Sequence, residues 1–322
     1  MAILSICMLL QILSPGDTVG TTDFDWQGNG SLGRRICHTL AGGYHFVWTY
    51  RTGGSGANRR VYYNYFHPPN YWLGPTMIDL RVSRNPSISS LADGRAVIAS
   101  NASAGGNIIC ALYIDAAEGA GMFTIIDLGP LLWPKLCVDS FDYIYLSGTD
   151  SSGGVITYST DYGTTWSEWF NIDPLYWNGG GRESWTTYNN KIALINDVDY
   201  DLSYCYWEST NHGVTWCFDT IFTSLPSGDS VIGYIWHSGV YDNSGNLHVV
   251  FTVIDTAANG GGPGGSGWRS QIRHWDSQTD SITIVTSGWW TLNPGPGDAH
   301  PTVSECQIAI DRATGILYCT WC

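Results

Sequence analysis

A short apolar strand following a tight turn recurs along this chain: "YHFVWTY" from Tyr44, "RAVIAS" from Arg95, "YIYLSG" from Tyr143, "KIALIN" from Lys191, "LHVVFT" from Leu247 and "ILYCTW" from Ile316. The starting points are about fifty residues apart, widening to roughly seventy before the last copy, where the "GGGPGGSG" and "WWTLNPGPGDAH" stretches supply the extra length. A unit of that size cannot cover both of its own faces, so neighbouring copies must do so. That requirement restricts the chain to repeat architectures.

Ahead of each copy stands another short strand and a turn of suitable chemistry, "AGG", "ADG", "SFD", "YNN", "NSG" or "ATG", so each unit opens with a hairpin. A third strand follows in "RRVYYNYF", "NIICALYI", "GVITYS", "LSYCYW" and "SQIRHW", and a fourth in "FTIIDL", "SEWFNI", "CFDTIF" and "SITIVT". Four antiparallel strands per unit predict an all-β, six-bladed β-propeller. Composition agrees: charged residues are only 13% and glycines number 39, which suits short strands and turns better than solvent-facing helices. The expected blades are 34–82, 83–130, 131–174, 182–223, 230–287 and 299–322, after an N-terminal segment 1–33.

The sixth blade holds only "TVSECQIAI" and "ILYCTWC" before the chain stops. Its missing strands are expected from Ile3 to Leu13 and Thr18 to Trp26, or the sequence is a fragment cut in mid-blade. An ending on a buried-type strand with no polar tail favours the fragment. The opening "MAILSICMLLQILSPG" has the apolar length of a signal peptide but lacks its basic start and cleavage site. No segment has the apolar length of a membrane-spanning helix, so an integral membrane protein is not expected.

Two octapeptides, "STDYGTTW" (Ser159, Asp161, Gly163, Thr165, Trp166) and "STNHGVTW" (Ser209, Asn211, Gly213, Thr215, Trp216), fall between the third and fourth strands of blades 3 and 4. There the glycines can take positive φ, Asp161 and Asn211 can bind turn amides, and the tryptophans can pack beneath, which makes the motif a fold device. The pattern Ser-x-Asp-x-Gly-x-Thr-Trp resembles the Asp-box, or bacterial neuraminidase repeat, of sialidase-like β-propellers. The first copy matches fully, and the second has Asn211 for Asp. The family includes sialidases, other glycan-active proteins, receptors and assembly factors, so the resemblance implies fold more than function.

Sialidases hold a substrate carboxylate with three arginines and use a Tyr activated by Glu as nucleophile, with an Asp as acid/base. Their first arginine stands in a Phe/Tyr-Arg-Ile-Pro motif, which Arg34-Arg35-Ile36-Cys37 matches in part, without the aromatic and the proline. The resemblance thus points to Arg35, with Arg84 and Arg182 as candidates by blade register and Glu183 and Tyr188 for the catalytic pair. The stretch "GTTDFDWQGNGSLGRRI" from Gly20 also resembles the start of secreted bacterial propellers exported by the type IX route, although their sorting domain is absent.

In a propeller the loops leading into each innermost strand build the functional face. They bring Arg35, Arg84, Lys135, Arg182, Glu183, His237 and His300 toward the axis. With only 14 Lys and Arg against 28 Asp and Glu, gathering several at one mouth makes an anion-friendly site on an acidic protein. The net charge of −14 argues against nucleic acid as a partner. Trp133, Trp177, Trp185, Trp236, Trp289 and Trp290 fall in the same loops, where sugar rings can stack on them or where they plug the channel.

Asp197, Asp199 and Asp201 alternate in "NDVDYD", a spacing that can present oxygens to calcium but lacks the glycine and distal Glu of an EF loop, so no cofactor is otherwise expected. Cys205 and Cys217 flank one turn and Cys306 and Cys319 another, so each pair is a disulfide candidate in an oxidising compartment, or a set of buried thiols. The expectation is a secreted or periplasmic propeller that binds a glycan or other small ligand. An exo-sialidase and a protein-interaction platform are the alternatives.

Overall fold

The computed structural model describes residues 17–24, 27, 33–53, 58–171, 182–198, 203–223, 231–255, 269–288 and 303–321. Six antiparallel sheets follow one another in chain order. Blade 1 comprises Ile36–His38, Tyr44–Tyr50, Arg60–His67 and Tyr71–Trp72, with Thr76–Met77 also pairing onto its third strand. Blade 2 is Ser83–Ser90, Ala96–Ala104, Asn107–Asp115 and Phe123–Gly129, and blade 3 is Leu132–Val138, Ile144–Asp150, Gly153–Ser159 and Phe170–Asn171. Blade 4 is Ser184–Tyr188, Lys191–Val198, Ser203–Ser209 and Cys217–Phe222. Blade 5 is Val231–Tyr241, Leu247–Asp255, Ser270–Asp276 and Ser281–Gly288. Gln307–Ile310 and Leu317–Thr320 form the two-stranded sixth. The protein is an all-β propeller whose last blade has two strands among the described residues.

Every recurrent apolar segment is the second strand of its blade. In blades 2 to 5 this strand is buried on both faces, which is why it reads as a continuous apolar run rather than an alternating one. Ile192 and Leu194 pack toward blade 3 while Ala193 and Ile195 pack toward blade 5. The five apolar clusters among the described residues are accordingly five blade interfaces. Val61, Tyr63, Ile88 and Ile98 join blades 1 and 2; Leu112, Leu136 and Leu146 join 2 and 3; Tyr145, Trp185 and Trp207 join 3 and 4. Tyr204, Phe222 and Phe251 join 4 and 5, and Trp236, Ile272 and Cys306 join 5 and 6.

The two octapeptides adopt one geometry. Ser159 Oγ accepts the Gly163 amide at 2.8 Å, as Ser209 Oγ accepts that of Gly213 at 2.8 Å. Asp161 Oδ1 accepts the Thr165 amide at 2.8 Å, and Asn211 Oδ1 that of Thr215 at 2.9 Å. Trp166 and Trp216 each donate their ring N–H to the glycine carbonyl, at 3.0 and 3.1 Å. The Asn for Asp exchange reverses one bond only: Thr165 Oγ1 donates to Asp161 Oδ2, whereas Asn211 Nδ2 donates to Thr215 Oγ1. Each turn docks on the preceding blade. Tyr162 lies under Arg95 of blade 2, and His212 Nδ1 stands 3.0 Å from Asp139 of blade 3.

The seven described cysteines are free thiols. Cys205 pairs in register with Thr220, while Cys217 lies opposite Glu208, so the two are not cross-strand neighbours. Cys319 lies opposite Ile308, and Cys306 turns toward blade 5, with Sγ 3.5 Å from the Trp236 carbonyl. Residues 1–16, including Ile3 to Leu13, lie outside the described residues, as do Trp26 and the glycine-rich stretch 260–267.

Candidate functional site at the channel mouth

The inner strands of the blades surround an axial cavity of about 850 Å³. Its lining includes Arg34, Ser87, Lys135, Glu183, Ser184 and His237, drawn from blades 1 to 5, with Gln307 and Ile308 from blade 6. Bulges interrupt three inner strands just before these positions, between Arg84 and Ser87, Leu132 and Lys135, and Tyr234 and His237. Within or beside them Asn85 and Trp133 hold positive φ of 54° and 49°. A bulge re-aims the side chain that follows it, and backbone in this region is found where the surrounding structure fixes it.

Glu183 is fully buried. Its Oε1 accepts from Ser147 Oγ at 3.0 Å, and that hydroxyl accepts from Trp185 Nε1 at 2.8 Å. Its Oε2 is buried with no hydrogen-bond partner among the described residues. Burial raises the Glu183 carboxyl above the ordinary range, with the nearby Lys135 charge opposing. Lys135 is also buried; desolvation lowers its ammonium, the Glu183 carboxylate opposes that, and the Arg35 charge adds to it. His237 Nδ1 lies 2.9 Å from Ser184 Oγ, and burial pushes the imidazole down to about 3, so it is neutral at physiological pH.

Arg35 does not line the cavity. Its guanidinium lies under the N-terminal segment, where Nη2 donates to the Gln27 carbonyl and Nε and Nη1 are buried without partners among the described residues. Burial lowers it to about 10. Gln27 is itself tied down, its Nε2 donating to Thr49 O at 2.9 Å and its Oε1 accepting the Thr49 amide at 2.9 Å. Arg34 faces the channel instead, reaching across to the Trp185 carbonyl of blade 4 at 3.4 Å.

The other predicted residues separate. Arg182 pairs with Asp197 at 3.0 Å, and Arg84 lines a different cavity with Arg59, so Arg35, Arg84 and Arg182 do not form one cradle. Tyr188 stands at the other end of the strand that follows Glu183, its hydroxyl donating to Asn243 O at 3.0 Å and its ring under Arg312. Five residues of strand hold it roughly 15 Å from Glu183, too far for a nucleophile and its activator. Trp133 is half-buried, its amide donating to Asn101 Oδ1 at 2.9 Å; Trp185 and Trp236 are 6% exposed and pack between blades. Trp177, Trp289, Trp290, His300, Asp199 and Asp201 lie outside the described residues. Among the described residues no three His, Cys, Asp or Glu side chains are grouped to hold a metal ion. Ser87, Ser147, Ser184 and Gln27 were not foreseen, since a serine or glutamine carries no sequence signal until register places it.

No family model matches the chain, and no curated protein does. Solved structures do. The NanB sialidase from Streptococcus pneumoniae aligns with a TM-score of 0.55 at 10% identity, over 93% of this chain and 67% of that one. A second NanB structure, with Optactamide, aligns at 0.57 and 11% identity, over 97% and 68%. The fold is sialidase-like. A Hadza microbial sialidase aligns at 0.53 and 10% identity over 88% of this chain and 62% of its own length. At such identities the likeness is one of fold, and it leaves the chemistry to be argued from the residues above.

Proposed function

We propose that the protein is a secreted or periplasmic carbohydrate-binding propeller that takes a small anionic glycan residue at the channel mouth without turning it over. The observation that carries this reading is the juxtaposition of exposed Arg34 with buried Lys135 and Glu183 in one roomy cavity of a protein with net charge −14. A local cationic spot on an acidic molecule selects and orients an anion. Its carboxylate would meet Arg34 and Lys135, while Ser87, Ser184 and Glu183 present the hydroxyl and carboxyl groups that recognise sugar hydroxyls. The two octapeptides are read as Asp-boxes with a structural role, since both pack against neighbouring blades.

The hydrolase alternative has one point in its favour besides the fold: Glu183 is held toward its protonated form, as a general acid must be. The position of Tyr188 speaks against it. Titration with N-acetylneuraminic acid by calorimetry tests the binding reading. Lys135→Met keeps the stem and removes the charge, so affinity should fall at least about tenfold, the loss typical of a charged hydrogen bond. Equal affinity in wild type and variant, or no binding to either, would remove the support for this site.

A further inference from the structure

Away from the axis, on the side where second strands turn into third strands, three arginines gather between blades 1 and 2. Arg51 and Arg59 flank the blade 1 turn, and their guanidinium carbons lie 5.3 and 4.7 Å from the ring centre of the same phenylalanine, Phe24. Arg59 and Arg84 line a cavity of about 200 Å³ together with Asn101 and Ser103. Like charges are gathered here. None of the three forms an ion pair among the described residues, and Nε of Arg51 and of Arg59 is buried with no acceptor. Asp23 accepts the Gly53 amide on its carboxylate at 3.0 Å and accepts from Arg51 on its backbone carbonyl at 2.8 Å. Arg84 and Arg51 disfavour the charge on Arg59, in addition to its partial desolvation.

We infer that Arg51, Arg59 and Arg84 form a second, off-axis site for a tetrahedral oxyanion ester, a sulfate or phosphate group carried on a sugar. A carboxylate offers two oxygens and one charge. A sulfate or phosphate ester presents three outward oxygens, which match three forked guanidiniums, two flanking the blade 1 turn and one on the first strand of blade 2, and a phosphate monoester carries nearly two charges. The ring of Phe24 fixes two of the cations from one side and excludes water there. Ser103 adds a neutral hydroxyl to the same cavity, while the side chain of Asn101 in its wall is held by Leu131 O and the Trp133 amide. The site shares no residue with the axial cavity and stands or falls apart from it.

Calorimetric titration of the full chain with N-acetylglucosamine 6-sulfate, glucose 6-phosphate and unsubstituted N-acetylglucosamine tests the inference. Saturable binding of at least one ester is expected, with the unsubstituted sugar silent at that site. Affinity should drop at least tenfold in Arg59→Gln and in Arg84→Gln, and should be unchanged in Arg95→Gln, whose guanidinium pairs with Asp93 in another turn. Tighter binding of the sulfate or of the phosphate identifies the ester. A thermal unfolding curve for each variant, matching wild type, shows that lost binding is not lost fold. The inference is overturned if neither ester binds, if the unsubstituted sugar binds equally, or if folded Arg59→Gln and Arg84→Gln bind as wild type does. Lys135→Met should leave ester binding here intact, which separates this site from the channel mouth.

Discussion

His45 is fully buried between blades, with Nδ1 2.6 Å from Tyr63 Oη and Nε2 2.9 Å from the Gly94 carbonyl. The neutral ring satisfies both, accepting from the tyrosine and donating to the carbonyl. Burial pushes the imidazole down to about 4, and the Gly94 bond and the Glu118 charge only partly oppose this. The unfolded chain takes up its proton near 6.5, before the folded one does, so stability present above that pH is lost as pH falls toward 4. The loss at pH 4.5 is roughly 2–3 kcal/mol. Denaturant melts of wild type and His45→Gln at pH 7.5 and 4.5 check this: the variant should lose less stability on acidification, and equal losses would show that His45 is not the sensitive group. The same scale explains where the site was hidden from sequence reading. A motif resemblance selects Arg35, but in the segment leading into the first strand of blade 1 it is Arg34 that lines the channel, while Arg35 turns to the N-terminal segment.

Among elements, the octapeptide hairpins are clamps between consecutive blades. A Cβ on Gly163 would stand 2.8 Å from Leu112 Cδ2 of blade 2, and one on Gly213 3.0 Å from Tyr145 of blade 3, and both residues hold φ near +80°. Gly163→Ala is therefore expected to cost about 2–3 kcal/mol, strain and overpacking together. Gly105→Ala, at φ +56° with nothing within 4 Å, should cost only about 1 kcal/mol. Thermal melts that rank the two equally would contradict the clamp. Elements of this kind were legible: apolar runs marked the second strands, and turn chemistry marked the hairpins, because both are local. Bulges were not, since they follow from how two strands meet. Trp133 and His237 owe their placement to them, whereas Cys205 is separated from Cys217 by the hairpin register, which sets Cys217 opposite Glu208. The fourth strand expected through "SEWFNI" is, among the described residues, a strand at Phe170–Asn171, with the Ser167 amide donating to Tyr158 O at 2.8 Å ahead of it.

At the level of the molecule, the five interfaces bury the second strands of blades 2 to 5 on both sides and leave the inner strands to line the axial cavity. Repetition therefore fixes the scaffold, and non-repeating residues at equivalent blade positions fix the chemistry: Arg34, Ser87, Lys135, Glu183 and His237 differ in type while sharing a place around the mouth. That division is why period and turns disclosed the propeller, whereas the grouping of Arg51, Arg59 and Arg84 from two blades did not show in the sequence. A fluorogenic sialoside titrated into the protein, with polarisation and fluorophore release followed together, tests the channel-mouth account most directly. Saturable polarisation without release, weakened by Lys135→Met, is the expected result. Release that Arg35→Ala abolishes, or polarisation that never rises, would contradict it.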